Sequence, residues 1–155
     1  MTYVSRALRA LALFWLLAPA LPAGAQQLPP QPAVHPAGIP SDAVLVSPCI
    51  QTMGEHWAVL KNLPTGPIYG LWQGKPVFTE IMVSVAELEK GFSWANVRAL
   101  PGYTIDHMDF KYEPSGHPGY EVPHYDVHLY YVSPAEQAHI CPDGIPDPSM
   151  KPTNR

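Results

Sequence analysis

Charge is scarce in this chain: only 14% of its 155 residues are Asp, Glu, Lys or Arg, against about a quarter in ordinary globular domains. The formal net charge is -4, and no Lys/Arg cluster occurs anywhere. The electrostatic footprint of a nucleic-acid binder is therefore missing. Cysteine is nearly absent, with two residues. There is no G-x-S-x-G elbow, no P-loop, no G-x-G-x-x-G, and no H-E-x-x-H or zinc-finger spacing. Proline, at 20 residues, is abundant. Few charges and many prolines exclude a long-helix bundle, a coiled coil and a charged disordered tail. The length allows one domain, and 46% hydrophobic residues suffice for one core.

The only long apolar run lies at the start. Arg6 and Arg9 form a positive n-region, Ala10 to Leu21 is apolar, and Ala23-Gly24-Ala25 offers small residues to a signal peptidase. The run falls short of the ~20 residues that span a bilayer. Residues 1–25 are thus expected to be a signal peptide cleaved before Gln26, leaving a periplasmic or secreted protein with no membrane span. Removing Arg6 and Arg9 leaves seven basic against thirteen acidic residues, a net charge of -6, which disfavours an anionic membrane surface. In an oxidising compartment two cysteines favour a disulfide, here Cys49–Cys141. It would close a loop of about ninety residues and stabilise by roughly 4 kcal/mol.

Residues 26–40 (QQLPPQPAVHPAGIP) and 142–155 (PDGIPDPSMKPTNR) lack an apolar period. They are expected to be a poorly ordered Pro-rich leader, with His35 solvated, and a flexible tail. The globular domain is expected over residues 41–141. Strands are expected at Ala43–Ser47, Ile68–Trp72, Pro76–Ser84, Tyr103–Tyr112 and Val122–Ser133, with a hairpin across Gln73-Gly74. Ser84-Val-Ala-Glu87 and Ser133-Pro134-Ala-Glu136 are capping boxes that start two short helices; Gly91 stops the first. There is no βαβ rhythm. The expected fold is α+β, mainly β: a single antiparallel sheet, curved or barrel-like, with two short capped helices.

Chemistry concentrates on His124-x-Asp126-x-His128. A strand places these three on one face, about 7 Å between successive Cα atoms. The outer two, ~13 Å apart, share an ion only if the strand bends. His56 and Glu55 follow in Met53-Gly-Glu-His, expected as a loop. Glu80 faces the same way as Phe78 and Met82 inside an apolar strand, where a lone carboxylate is costly to bury unless paired or metal-bound. His56, Glu80, His124 and His128 would together suit a divalent Zn, Mn, Fe or Cu ion, with Asp126 and Glu55 as ligand-binding neighbours. The same pattern fits a half-exposed strand with His124 and Asp126 solvated and Glu80 paired to Lys75 or Arg98. Met53, Met82 and Met108 are either soft copper ligands or core filler. His107 reads as a surface partner of Asp106 and Asp109, and His117 as a turn residue. Trp57, Trp72, Trp94, Tyr69 and Tyr103 read as core.

Three segments, Pro48 to Trp57, Gly66 to Met82 and Pro123 to Tyr130, carry a resemblance over nearly the whole domain. Together they resemble a family of small exported bacterial proteins of unknown function. That family is typified by a Thermus protein under an extracytoplasmic-stress sigma factor and its anti-sigma factor. The resemblance implies an exported, self-associating single domain with no assigned reaction, and it adds no cofactor. Two functions stay open: an exported domain binding a metal or a small-molecule ligand at a His/Glu centre, or a non-catalytic, homo-oligomeric envelope or stress-response protein whose histidines are structural or surface polar groups.

Overall fold

The computed structural model of the protein describes residues 27–147. The expected signal peptide and the last residues of the tail lie outside the described residues. Six strands form one antiparallel sheet: β1 (Val44–Ile50), β2 (Gly54–Ala58), β3 (Ile68–Trp72), β4 (Lys75–Ser84), β5 (His107–Glu113) and β6 (His124–Tyr130). The spatial order is β1-β2-β3-β4-β6-β5, so β1 and β5 are the edges and the sheet is open rather than closed. Helices α1 (Val85–Glu89) and α2 (Pro134–Gln137) follow β4 and β6. The mainly β antiparallel architecture is thus as expected.

The local signals act where they were read. Gln73 and Gly74 adopt φ of 52° and 74° between paired Trp72 and Lys75. Two left-handed residues make the turn whose twist matches a two-residue hairpin. Both capping boxes form: the Ser84 hydroxyl accepts from the Glu87 N–H, and the Ser133 hydroxyl from the Glu136 N–H. Cys49 and Cys141 lie at disulfide distance, with Cα atoms 5.9 Å apart.

Three features differ from expectation. The loop expected around His56 is a strand, β2, paired on both sides. Its five residues are too few to show a period, and the sharp turn before it uses Thr52 and Gly54 at φ of 65° and 90°. Strand β5 starts at His107 rather than Tyr103, and β6 ends at Tyr130. Finally, packing continues into the expected leader and tail. The Gln31 side-chain amide donates to Leu45 O and accepts from Leu45 N, imitating a neighbouring strand along β1. His35 remains exposed but sits 3.0 Å from Ala43 O, with its ring edge-on to Trp57. Ile145 exchanges backbone hydrogen bonds with Cys49 and Gln51.

One face of the sheet buries Trp57, Tyr69 and Leu71 with Leu45. On the other, Phe78 and Tyr130 pack with Met53, Ile140 and Cys141, and Ala58, Ile68 and Met82 form a third cluster. Trp57 and Tyr69 are core as read, while Trp94 is exposed. Met53 and Met82 are buried in separate clusters, and Met108 is exposed. The three methionines do not converge, so the copper-ligand alternative lacks its geometry.

Candidate metal centre

Strand pairing assembles the site. Glu80 of β4 lies directly opposite His128 of β6, and Met82 opposite Asp126. Across β6, His128 faces Asp109, Asp126 faces Lys111 and His124 faces Glu113. Side chains repeat every two residues, so these groups share one face of the sheet. His56 reaches the same face from β2 through Gly70, its partner on β3. A glycine is required there: a Cβ at Gly70 would overlap the ring of Phe78, its partner on β4. That ring fills the space above Gly70 and stands edge-on to both His56 and His128, at 5.4 and 4.8 Å between centroids. Phe78 thereby sets the inclination of the two imidazoles.

The face is buried, not solvated. Exposures are 2% for His128, 3% for Glu80, 5% for Asp126 and 0% for His124. This removes the reading of His124 and Asp126 as a solvated face. It also inverts the usual alternation of a sheet with one wet side: on β5 the exposed side chains are Met108, Phe110 and Tyr112, while His107, Asp109 and Lys111 are half-buried.

His56, Glu80 and His128 form one group, with ligand atoms all within 4.8 Å of one another. Glu80 Oε2 is 3.8 Å from His56 Nε2, and Glu80 Oε1 is 3.5 Å from His128 Nε2. Neither Lys75 nor Arg98 forms an ion pair with Glu80 among the described residues. Both His128 nitrogens are buried without a hydrogen-bond partner among the described residues. An unsatisfied buried polar group costs about 1–3 kcal/mol, so His128 is held in place at a cost to folding. Burial holds the His56 imidazole down at about 4 and that of His128 at about 3. Burial, reinforced by the nearby Asp126 charge, pushes the Glu80 carboxyl up to about 8. Near neutral pH both rings are therefore free bases and Glu80 is a neutral acid. Neutral imidazoles are the form in which histidine ligates a metal.

His124 does not join this group. The extended strand β6 carries it two residues beyond Asp126 and away from His128. It forms a second group with His117 and Asp126. The sequence placed His117 in a turn, which is correct for its backbone. The ring, however, reaches back to 3.1 Å from His124 and 3.6 Å from Asp126. Burial opposes a charge on His117, but the Asp126 carboxylate outweighs it and holds the imidazolium up to about 9. Glu55 stands apart from both groups: on a strand where His56 faces the site, its carboxylate accepts instead from the Trp57 indole, at 3.2 Å.

The first group, with His117 and Asp126 of the second, lines one cavity of about 560 Å³. Its apolar wall includes Val46, Ile50, Leu63, Ile68, Met82 and Ile145. Lys111 also lines it and pairs with Asp147 at 3.4 Å. Three protein ligands on an accessible cavity are the count and setting of zinc sites that keep a position open for water or ligand.

No protein-family model matches the chain, and no curated protein matches it. Among solved structures, a hypothetical protein from Thermus thermophilus superposes with a TM-score of 0.53 at 26% identity, over 61% of this chain and 91% of that one. Among the described residues no helix is long and apolar enough to cross a membrane. The cysteine pair fits an extracellular location. This likeness is to a hypothetical bacterial protein, in keeping with the resemblance of the three sequence segments.

Proposed function

We propose that the chain is an exported domain that holds a divalent metal ion at His56, Glu80 and His128 and binds a small molecule at the open position of that ion. The observation that carries this reading is His128: a buried imidazole whose two nitrogens lack hydrogen-bond partners among the described residues, 3.5 Å from a buried carboxylate. Two imidazoles and a carboxylate suit Zn, Mn, Fe or Cu. The apolar wall of the cavity suits a ligand with one donor group, such as a carboxylate, and a hydrocarbon body. Metal analysis of protein purified without a histidine tag tests the reading. About one equivalent should be lost on Glu80→Gln, or affinity should fall at least ~10-fold. Metal-free protein that also fails to take up Zn²⁺, Mn²⁺, Fe²⁺ or Cu²⁺ after chelator treatment overturns it.

A second reading is favoured by the outer face of the edge strand. Phe110 and Met108 are each 58% exposed there, beside Tyr112. Apolar residues on an edge strand are a template for association. They support a self-associating envelope or stress-response protein, in line with the self-association that the sequence resemblance implies. Light scattering separates the two: a monomer at micromolar concentration removes the second reading and leaves the first intact.

A further inference from the structure

The group that the sequence did not anticipate is His117, His124 and Asp126. His117 is delivered by the loop between β5 and β6. His117 and Tyr120 exchange backbone hydrogen bonds across Pro118-Gly119, at 3.3 and 2.9 Å. This turn folds the His117 ring back over the first residues of β6. The resulting atoms are close: His117 Nε2 to His124 Nε2 is 3.1 Å, His124 Nε2 to Asp126 Oδ1 is 3.0 Å, and His117 Nε2 to Asp126 Oδ2 is 3.6 Å.

The partners of the other ring nitrogens decide what these contacts are. His124 Nδ1 lies 2.7 Å from Val122 O, and His117 Nδ1 lies 3.2 Å from Pro118 O. A carbonyl oxygen only accepts, so both Nδ1 atoms carry hydrogen and donate. In the metal-free chain a proton on His117 Nε2 fills the point between His124 Nε2 and the Asp126 carboxylate. A divalent cation that displaced this proton would meet the lone pairs of both Nε2 atoms and the carboxylate together. Asp126 Oδ1 is buried with no hydrogen-bond partner among the described residues, although His124 Nε2 is 3.0 Å away. The separation is right for a bond and the direction is wrong. That is how two ligands of one ion stand to each other. An ion with bonds near 2.05 Å places tetrahedral ligands about 3.3 Å apart, and the three separations here run from 3.0 to 3.6 Å. The Nδ1–H to carbonyl bonds are the outer partners that fix the tautomer and direction of metal-bound histidines.

We propose that His117, His124 and Asp126 form a second divalent-cation site, of the zinc type, separate in its ligands from His56–Glu80–His128 and opening on the same cavity. His117 and Asp126 both line that cavity, so the remaining coordination position faces it. The proposal does not depend on the first site, because the two groups share no residue.

Titration of chelator-stripped protein with Zn²⁺, and separately with Co²⁺ read by its visible absorption, tests it. The unaltered chain should take up two equivalents. His117→Ala should remove one and leave one, and Glu80→Gln should remove the other. His117 sits in a partly exposed loop, so its loss should leave the sheet intact by circular dichroism. If His117→Ala fails to fold, Asp126→Asn, which keeps size and shape, takes its place with the same expected loss. One equivalent that Glu80→Gln abolishes and His117→Ala leaves untouched overturns this proposal while the first site stands. One equivalent with the opposite response keeps this proposal and removes the first site. A contact bridged only by a proton on His117 predicts no second equivalent and likewise overturns it.

Discussion

Replacing Glu80 by Gln changes how stability depends on pH, and the change follows chiefly from burial, with the Asp126 charge acting in the same direction. The Glu80 carboxyl is held at about 8 in the fold, against 4.5 for an ordinary glutamate. Between these values the folded chain keeps a proton that the unfolded chain has lost. Stability contributed by the neutral acid is complete below pH 4.5 and is lost as pH rises through 8, at up to about 1.4 kcal/mol per pH unit. His117, held up at about 9 from 6.5, adds a second loss of the same sign from pH 6.5 upward. His56 and His128, held at about 4 and about 3, act oppositely. The unfolded chain protonates them below 6.5 and the fold resists, so stability falls as pH drops through 6.5. Metal-free protein should be most stable near pH 6.5. Gln imitates the neutral acid and does not ionise, so Glu80→Gln should fold normally and lose about 1 kcal/mol less than the unaltered chain between pH 6.5 and 7.5. The acid limb should steepen by a similar amount. Urea unfolding in chelator at pH 5.5, 6.5 and 7.5 measures this. Zn²⁺ at ~100 times its Kd should then stabilise the unaltered chain by about 2.7 kcal/mol at the Glu80 site, a gain that the variant should lack. Parallel pH curves for the two proteins would falsify the neutral-acid argument, because a solvated or cation-paired Glu80 gives no such difference.

Other changes probe the supports of the site. Gly70→Ala should drive a methyl into Phe78, cost about 1–3 kcal/mol, and weaken Zn²⁺ binding, since Phe78 sets both imidazoles; an unchanged melting temperature and Zn²⁺ titration would count against that role. Cys141→Ser opens a link across 92 residues and should cost about 4–5 kcal/mol; peptide mapping that finds both thiols free in the unaltered protein refutes the link itself. Exported protein should begin at Gln26, and an intact mass that retains residues 1–25 in soluble material contradicts the expected cleavage.

Much of the fold was legible in the chain because its signals are local. The turn at Gln73-Gly74 and the capping boxes at Ser84 and Ser133 require nothing beyond a few neighbouring residues, and all three form. The burial of Glu80 was legible for a related reason: a carboxylate among Val77, Phe78, Ile81, Met82 and Val83 has no solvated side to turn to. Strand β2 was not legible, because five residues containing Gly, Glu, His, Trp and Ala show no period. Its identity is set by the strands on either side. The partition of the histidines was half legible. Spacing along β6 showed that His124 and His128 cannot easily share an ion, but which partner each takes depends on register across β4 and on the turn at His117–Tyr120. A signal for His117 was present in Ser-Gly-His-Pro-Gly, where two glycines flank a histidine. Turn chemistry explains the glycines and says nothing of where the ring points.

Strands β5 and β6 read equally well with either face inward, and the resolution lies in what each face meets. On β6, Tyr125 and Val127 are half-exposed, while His124, Asp126 and His128 are buried. On β5 the apolar residues are outermost. A sheet optimised for stability alone would turn Phe110, Tyr112 and Tyr125 inward and leave the imidazoles to water. Here the aromatic residues shield one another outside, with Phe110 and Tyr112 packed on Tyr125 at 4.8 and 4.9 Å. The face that lines the cavity is given to groups that are costly to bury. Each local violation falls on or beside the same cavity: the nitrogens of His128, unpartnered among the described residues, the neutral acid at Glu80, and the charged ring of His117 held against His124 and Asp126. Costs of this kind, gathered at one place in a chain whose turns and caps are otherwise consistent, are what a binding site adds to a fold.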